Sequence, residues 1–247
     1  MRENYTLTRL FIETPLSQGA AVALTKEQAH YLGTVLRKSV GDSIRVFNGE
    51  SGEWRAEIIS LSRKGGEIKT TEPLRAPTAS PDIWLCFAPV RKHRTAFIIE
   101  KGTELGASQF HPVITKRTQF PKLNTGKARL QAVEAAEQTE RLDVPQIHEV
   151  GRLTDVLKGW DIKRTLIFAD EAGDAKPALA ALNDMAPSPA AILIGPEGGF
   201  TAKEREILRA QDFVMPVSLG PRILRADTAA LSLLTLWQAV QGDWSGD

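Results

Sequence analysis

The chain has 247 residues, of which 42% are hydrophobic and 25% are charged, a composition typical of folded proteins with one or two domains. Its formal net charge of +1 does not by itself indicate a nucleic-acid binder. The single cysteine, Cys86, excludes an intrachain disulfide framework and a cysteine-rich zinc site, and the four histidines lack ligand spacing, so no metal is expected.

Neither a signal peptide nor a membrane span is predicted. The first residues lack a basic start followed by an apolar core, and no apolar run approaches the roughly 20 residues that cross a bilayer. We therefore expect a cytoplasmic protein with no membrane partner. Cys86 lies in an apolar run and is interpreted as a small buried hydrophobic residue, and His111, which precedes a proline in a strand, as structural.

Residues 1–75 are predicted to form a small β-barrel. Short β-like runs at residues 44–47, 54–59 and 67–70 are separated by the turn signals Asn48-Gly49 and Gly65-Gly66. A helix over residues 26–36 interrupts them, with Thr25 as its N-cap and Gln28 completing a capping box. Short strands joined by tight turns are typical of small barrels.

Residues 73–81 contain three prolines and predict a linker, so a second domain is expected over residues 76–247. There, strand patterns at residues 83–88, 110–114, 165–169, 190–194 and 213–217 alternate with helical patterns at 95–105, 126–141, 175–183, 201–211 and 229–240. This alternation predicts an α/β fold with a mainly parallel sheet.

Two loops after strands carry the candidate chemistry. In residues 192–201, ILIGPEGGFT, an apolar strand enters a glycine-rich turn and then a capped helix, but the turn matches neither the dinucleotide nor the phosphate-loop pattern. In residues 219–229, LGPRILRADTA, two arginines flank an apolar pair and Asp227 follows. Ligands bind at the carboxyl ends of parallel strands, where both loops lie.

Together with three further motifs, these loops resemble the bacterial 16S ribosomal RNA (uracil-N3)-methyltransferase family of the SPOUT class. The further motifs are residues 30–37 with 41–42, HYLGTVLR and GD; residues 100–106, EKGTELG; and residues 137–141, EQTER. The five motifs span nearly the whole chain in order. One departure is Asp227, where the family more often has glutamate.

The resemblance implies a C-terminal α/β domain with a deep trefoil knot, preceded by a PUA-like RNA-binding barrel. A knot could not have been inferred from pattern, because knots are almost absent from protein folds. The implied activity is transfer of a methyl group from S-adenosyl-L-methionine to N3 of a uridine in 16S rRNA of the small ribosomal subunit. The implied assembly is a homodimer.

The resemblance also implies the site residues. Main-chain atoms of the loops would hold the cofactor, at Ala169, Gly195, Pro196, Glu197, Gly198, Gly199, Leu219, Gly220, Ile223, Leu224, Thr228 and Ala229. Arg222 and Arg225 are candidates for stabilising the uracil anion, and Arg225 is favoured. For the group that accepts or orients the N3 proton, Glu104, Glu197, Asp227 and His30 remain alternatives, with Glu104 or Asp227 favoured.

RNA contacts are predicted from local charge. Residues 89–141 contain ten Lys or Arg against five Asp or Glu, a local balance of +5, and such clusters suit phosphate contacts. The predicted RNA-binding positions are Arg9, His30, Arg37, Lys38, Arg91, Lys92, Arg94, Lys116, Arg117, Gln138 and Arg141. Gln138 and Arg141 are three residues apart on one predicted helix and so share a face.

Three other functions compete with this interpretation. A nicotinamide-dependent oxidoreductase would need the dinucleotide fingerprint after its first strand, which is missing. A non-catalytic RNA-binding ribosome-assembly protein would need no cofactor. Another SPOUT RNA methyltransferase, for example one that modifies a ribose 2′-oxygen, would share the loops and differ only in the atom that it methylates.

Overall fold

The fold divides into two units. The first joins the residues up to Ala79 with Ala136–Val144, and the second contains Ser80–Ala135 and the chain from Pro145 onward. The computed structural model describes residues 6–172 and 174–245. None of the helices within these described ranges is both long enough and apolar enough to cross a membrane.

The first unit is built on a five-stranded sheet, in the order β1-β3-β4-β5-β2. Its strands are β1 Arg9–Phe11, β2 Ala21–Leu24, β3 Ser43–Asn48, β4 Gly52–Ser62 and β5 Gly65–Arg75. The three strands predicted from sequence are confirmed as parts of β3, β4 and β5. The two short strands β1 and β2 were missed because three or four residues carry little periodicity. Strand β5 also includes residues 73–75, the beginning of the predicted linker.

The predicted helix in this unit is confirmed. Helix α1, Lys26–His30, begins with a capping box in which Thr25 and Gln28 exchange side-chain and main-chain hydrogen bonds. The chain then continues as a π-helical turn over Tyr31–Val35. Leu32 from this turn joins the buried core beneath the sheet.

A buried ionic network fills one end of the first unit. Glu53 accepts hydrogen bonds from Arg9 Nε at 2.7 Å and from Arg75 Nε at 2.8 Å, and its side chain is only 2% exposed. Arg45 pairs with Glu140 at 2.7 Å. Burial opposes ionisation of Glu53, but the hydrogen bonds from Arg75 and Arg9 outweigh it and lower the pKa of the carboxyl.

Arg9 also attaches residues 136–144 to this unit. Its two Nη atoms donate to the main-chain oxygens of Ala136 at 2.6 Å and Arg141 at 2.7 Å. All three guanidinium nitrogens donate hydrogen bonds within this unit and the side chain is buried, so this placement does not support the prediction that Arg9 contacts RNA.

The second unit is built on a parallel sheet in the order β11-β13-β10-β12-β6-β7-β8, with β9 pairing beside β7. Its strands are β6 Ile83–Phe87, β7 Gln109–Ile114, β8 Gln146–Ile147, β9 Gly151–Arg152, β10 Thr165–Ala169, β11 Lys176–Pro177, β12 Ala190–Ile194 and β13 Val214–Ser218. The helices are α2 Lys92–Glu104, α3 Thr125–Gln138, α4 Leu153–Lys158, α5 Ala178–Asp184, α6 Ala202–Arg209 and α7 Ala226–Val240.

The sequence predicts this sheet because its central strands β10, β12 and β6 are almost entirely apolar. All five residues of β12 are buried, as expected for a strand covered on both faces. The α/β architecture with a mainly parallel sheet is therefore confirmed, and β8, β9, β11 and α4 are additions. Strand order does not define how loops thread through one another, so the trefoil knot stays a prediction.

Cys86 and His111 both take the structural places expected of them. Burial raises the pKa of the Cys86 thiol to about 12, so it stays protonated and unreactive.

His111 stacks between Trp84, at 4.6 Å, and His148, at 3.9 Å. Both imidazole Nε2 atoms approach Gln109 Oε1, at 3.0 and 2.8 Å. Burial, with smaller contributions from His148 and Arg164, lowers the pKa of His111 to about 3.

The histidine stack predicts a loss of stability in acid. His111 binds its proton near pH 3 when folded and near 6.5 when unfolded, so the unfolded chain takes up more protons between these values. The free energy of unfolding should fall progressively as pH drops from 6.5 toward 3. In His111→Phe, chemical denaturation at several pH values should show a shallower fall. The exposed His93, changed to Gln, is the control and should reproduce the wild-type pH dependence.

Glu53 should be the most sensitive carboxylate of the first unit. In Glu53→Gln the buried guanidinium of Arg9 loses the carboxylate to which it is hydrogen-bonded, and breaking a buried ion pair typically costs about 3–5 kcal/mol of unfolding free energy. Glu72→Gln is the control, because Glu72 is 53% exposed and its pair with Arg55 should contribute about 0–1 kcal/mol. Equal unfolding midpoints for the two variants in urea would contradict the structural role of the network.

Candidate active site

Three neighbouring strands deliver the loops that form the site. Strands β13, β10 and β12 are adjacent and parallel, so their carboxyl ends meet at one edge of the sheet. The chain leaves this edge after Ala169, after Ile194 and after Ser218. Residues 170–172, 195–200 and 219–225 are thereby brought together although they are far apart in sequence.

The three loops enclose a cavity of about 170 Å³, here called the loop cavity. Nine of the twelve predicted cofactor residues line it: Ala169, Gly195, Pro196, Gly199, Leu219, Gly220, Ile223, Leu224 and Ala229. Arg222, predicted as catalytic, lines it too. Thr228 is exposed on the first turn of α7 and lies outside this lining, as do Glu197 and Gly198.

The glycine turn needs its glycines for two different reasons. A Cβ on Gly195 would lie 2.6 Å from the ring of Phe200, which packs edge-on against Phe168, so this position has no room for a side chain. Gly199 adopts a φ of +64°, and its N–H closes the turn on the Pro196 oxygen at 2.8 Å.

The helix after this turn is fixed by the predicted capping box. Thr201 and Glu204 exchange the two capping hydrogen bonds. The Glu204 carboxylate also accepts the main-chain N–H of Lys116 at 2.7 Å. Burial opposes ionisation of Glu204, but the main-chain N–H groups of Lys116 and Thr201 outweigh it and lower its pKa.

Arg117, predicted to contact RNA, holds the same turn. Its Nη1 donates to the main-chain oxygen of Gly198 at 2.7 Å and more weakly to that of Phe200 at 3.4 Å. Its other guanidinium N–H groups keep it available for a phosphate as well. Gly198 thus faces Arg117 and lines a small recess with Phe120.

A second, larger cavity of about 480 Å³ adjoins the loop cavity and is here called the arginine cavity. Its lining residues come from α2 and its preceding loop, the glycine turn and the 219–225 loop: Arg91, His93, Arg94, Glu197, Ile223, Leu224 and Arg225. All of them except His93 are predicted site residues: Arg91 and Arg94 for RNA, Glu197, Ile223 and Leu224 for the cofactor, and Arg225 for catalysis.

Asp227 pairs with a residue that the sequence could not identify. Its Oδ2 accepts from Arg94 Nη1 at 2.8 Å, across 133 positions of sequence, rather than from the neighbouring Arg222 or Arg225. Arg94 Nε also lies 3.8 Å from Glu197 Oε1. Arg94 therefore lies between two carboxylates contributed by two different loops.

Glu104 is the predicted catalytic residue that the fold places elsewhere. Helix α2 begins near the carboxyl end of β6 and runs back toward the start of β7, so Glu104 lies ten residues, or about 15 Å, beyond Arg94. There it pairs with Lys101 at 2.6 Å and lines neither cavity. Sequence could not reveal this because the motif does not show which end of the helix faces the site.

The other predicted RNA residues are placed as follows. Lys92 and Lys116 are exposed on the second unit. On the first unit His30, Arg37 and Gln138 are exposed and Lys38 is partly exposed, with Arg37 at a φ of +54°. Arg141 pairs with Asp143 at 2.7 Å, so part of its guanidinium is occupied.

Sequence reasoning missed several residues of the loop cavity. Asp170 and Glu171, directly after β10, line it, as does Ser218. Pro221 and Ala226, which lie within the predicted segment 219–229, line it too. Asp170 is buried and pairs with Arg209 at 2.6 Å, which fixes the start of this loop. Its position immediately after a predicted strand was the available signal.

In the described part of the chain, no group of three or more His, Cys, Asp or Glu is arranged to hold a metal ion.

Comparison with known proteins identifies relatives of both units. An RNA methyltransferase domain family matches residues 77–238, and an RNA methyltransferase PUA domain family matches residues 24–71. Proteins named ribosomal RNA small subunit methyltransferase E are similar along the chain. That of Rickettsia conorii is 31% identical, covering 92% of this chain and 93% of the relative, and that of Bacillus subtilis is 31% identical, covering 93% and 95%.

Two solved structures with bound cofactor are also similar. A methyltransferase of Legionella pneumophila in complex with SAM has a TM-score of 0.86 and 28% identity, covering 96% of this chain and 99% of that one. The ribosomal RNA small subunit methyltransferase E of Neisseria gonorrhoeae, bound to S-adenosyl methionine, has a TM-score of 0.84 and 26% identity, with 96% and 99% covered.

Gly195 provides a test of the turn geometry. In Gly195→Ala the added methyl must displace the Phe200 ring from Phe168, so we expect overpacking to lower the unfolding free energy by about 1–3 kcal/mol. Thermal unfolding measures this. Gly126→Ala on α3 is the matched control, because its Cβ would be in ordinary contact at 3.5 Å and no loss of stability is expected.

Proposed function

The chain belongs to the RNA methyltransferase family whose curated members are named ribosomal RNA small subunit methyltransferase E, and on that premise we propose that it methylates N3 of a uridine in 16S rRNA, using S-adenosyl-L-methionine. One observation carries the proposal. The loop cavity is formed by the loops of an α/β domain whose similar solved structures were determined with that cofactor bound.

The lining of the loop cavity fits the cofactor chemically. Gly195, Gly199 and Gly220 line the cavity with main chain and no side chain, so a ligand can approach the backbone closely there. Leu219 and Leu224 offer apolar surface to an adenine ring, and the absence of a phosphate-loop pattern agrees with a ligand that carries no phosphate. When bound, the cofactor supplies an electrophilic methyl group on a sulfonium.

The chain's own residues position the acceptor and balance its charge. Of the predicted catalytic residues, Arg225 and Arg222 line the two cavities, and Asp227 pairs with Arg94 beside them. The cationic side chains of Arg225 and Arg222 are suited to stabilising negative charge that develops on the uracil ring. Glu104 has no part in this proposal, because it is the last residue of α2, at the end of the helix far from the cavities.

RNA binding is proposed to involve both units. Arg91, Lys92, Lys116 and Arg117 give the second unit exposed cations near the cavities, and the first unit contains the PUA domain match. Phosphate contacts of this kind set affinity and register without reading sequence. The substrate is 16S rRNA of the small subunit, and the protein acts in the cytoplasm, where ribosomes assemble.

A homodimer forms part of the proposal. Ile223, beside the loop cavity, is 86% exposed, and Phe97 on α2 is 41% exposed, so both leave apolar surface in contact with water. A second copy of the chain covering Ile223 would remove this surface from water and enclose the loop cavity beside it.

The decisive experiment is methylation of small ribosomal subunits that lack the modification. With labelled cofactor, the protein should transfer one methyl group to a uridine of 16S rRNA, and nucleoside mapping should find it at N3. A 2′-O-methylated nucleoside would instead support another SPOUT methyltransferase. Calorimetry with S-adenosyl-L-methionine gives a separate readout: no binding would favour a non-catalytic RNA-binding protein.

A further inference from the structure

The arginine cavity shares a wall with the loop cavity. Ile223 and Leu224 line both, so the two cavities adjoin at these residues. If the loop cavity holds the methyl donor, the adjoining space is where an acceptor can approach it. The following inference rests on the proposed function in this respect.

The charge of the arginine cavity suits a nucleotide that is still part of an RNA strand. Arg91, Arg94 and Arg225 contribute three cations to its lining, against the single carboxylate of Glu197. Guanidinium groups match phosphate geometry bidentately and also stack on flat rings. An electropositive recess beside the cofactor favours an extruded base with its flanking phosphates.

Only one of the candidate carboxylates faces this space. Asp227 does not line it, and both its oxygens are engaged, by Arg94 Nη1 at 2.8 Å and by the Thr228 N–H at 3.0 Å. Glu197 does line it, and its Oε1 lies 3.8 Å from Arg94 Nε, longer than a hydrogen bond. The Glu197 carboxylate therefore retains capacity to accept a hydrogen bond from a ligand.

We propose that the arginine cavity receives the target uracil and that Glu197 accepts its N3 proton. In the step, the N3–H bond breaks and the proton passes to the Glu197 carboxylate. The electron pair on N3 forms the new bond to the methyl carbon, and the pair of the broken S–C bond returns to sulfur. The proton then leaves Glu197 for solvent, and the neutral methylated uracil is released with S-adenosylhomocysteine.

Arg94 is the positioning residue of this arrangement. Its ion pair with Asp227 fixes the guanidinium at the start of α7, and its Nε side then faces Glu197. The side chains of Arg94 and Asp227 are only 18% and 15% exposed, and this partial burial strengthens the electrostatic attraction between them. Arg94 thereby restrains the carboxylate toward the cavity without forming a hydrogen bond that would block it.

Glu197→Gln tests the proton acceptor. The amide keeps the size of the side chain but is far less basic, so the single-turnover rate on unmodified small subunits should fall by about 10²–10⁴-fold at neutral pH. Cofactor affinity by calorimetry should stay at the wild-type value. Raising the pH should restore much of the lost rate, because uracil that has already lost its N3 proton needs no acceptor. A purely structural role would show no such rescue.

Glu206→Gln is the matched control, because Glu206 is an exposed glutamate on α6 outside both cavities. It should keep the wild-type rate and pH profile. A Glu197→Gln protein with wild-type rate and pH dependence would overturn the proposal, as would one whose only defect is weaker cofactor binding. If the wild-type protein itself failed to methylate N3, the proposed function would fall together with this inference.

Arg91→Gln tests whether the cavity receives a phosphate-linked nucleotide. Loss of one phosphate contact should weaken binding to the subunit and reduce the slope of log affinity against log salt by about one. Lys158→Gln is its control, since this exposed lysine ends α4 near the amino ends of the strands. An unchanged salt slope in Arg91→Gln would contradict the placement of the nucleotide.

Discussion

The parallel alignment of β13, β10 and β12 is the constraint on which the site depends. Parallel strands all end at the same edge, so each strand delivers its following loop to one place. The strand order places β10 between β12 and β13, and this brings Ala169 beside two loops that lie far from it in sequence. The cavity between these loops is lined largely by main chain. Backbone N–H and C=O groups in loops do not take part in the hydrogen bonds of the sheet, so some of them can bind a ligand.

Arginine–carboxylate pairs serve different purposes in the two units. In the first unit, Arg9 and Glu53 are almost fully buried, and the pair anchors residues 136–144 through main-chain oxygens. The net stabilisation by such a pair is small because both charges lose their hydration on folding, whereas removing one partner leaves an uncompensated buried charge. In the second unit, Arg94 and Asp227 remain partly exposed, and Arg94 lines a cavity. A ligand that enters this cavity can replace the water that solvates the Arg94 guanidinium.

Much of the fold could be predicted because its signals are local. Strands β10 and β12 and the capping boxes of Thr25 and Thr201 follow from apolar runs and short-range spacing. The short strands β1, β2, β8, β9 and β11 escaped prediction, since two to four residues pair only where a neighbouring strand already lies. The residues of the loop cavity were largely anticipated because the two motifs that hold them follow strands directly.

The sequence by itself determined the family, the α/β alternation and the two loops of the site, since each depends on contiguous residues. Only the tertiary structure decided which charged groups meet. Arg94 and Asp227, which form an ion pair, are 133 positions apart in sequence. Arg9 donates its hydrogen bonds to Glu53 and to main-chain oxygens, and Glu104 lies at the end of α2 far from the site. Side-chain pairing across such distances depends on strand order and helix direction, and neither is encoded in the local pattern of residues.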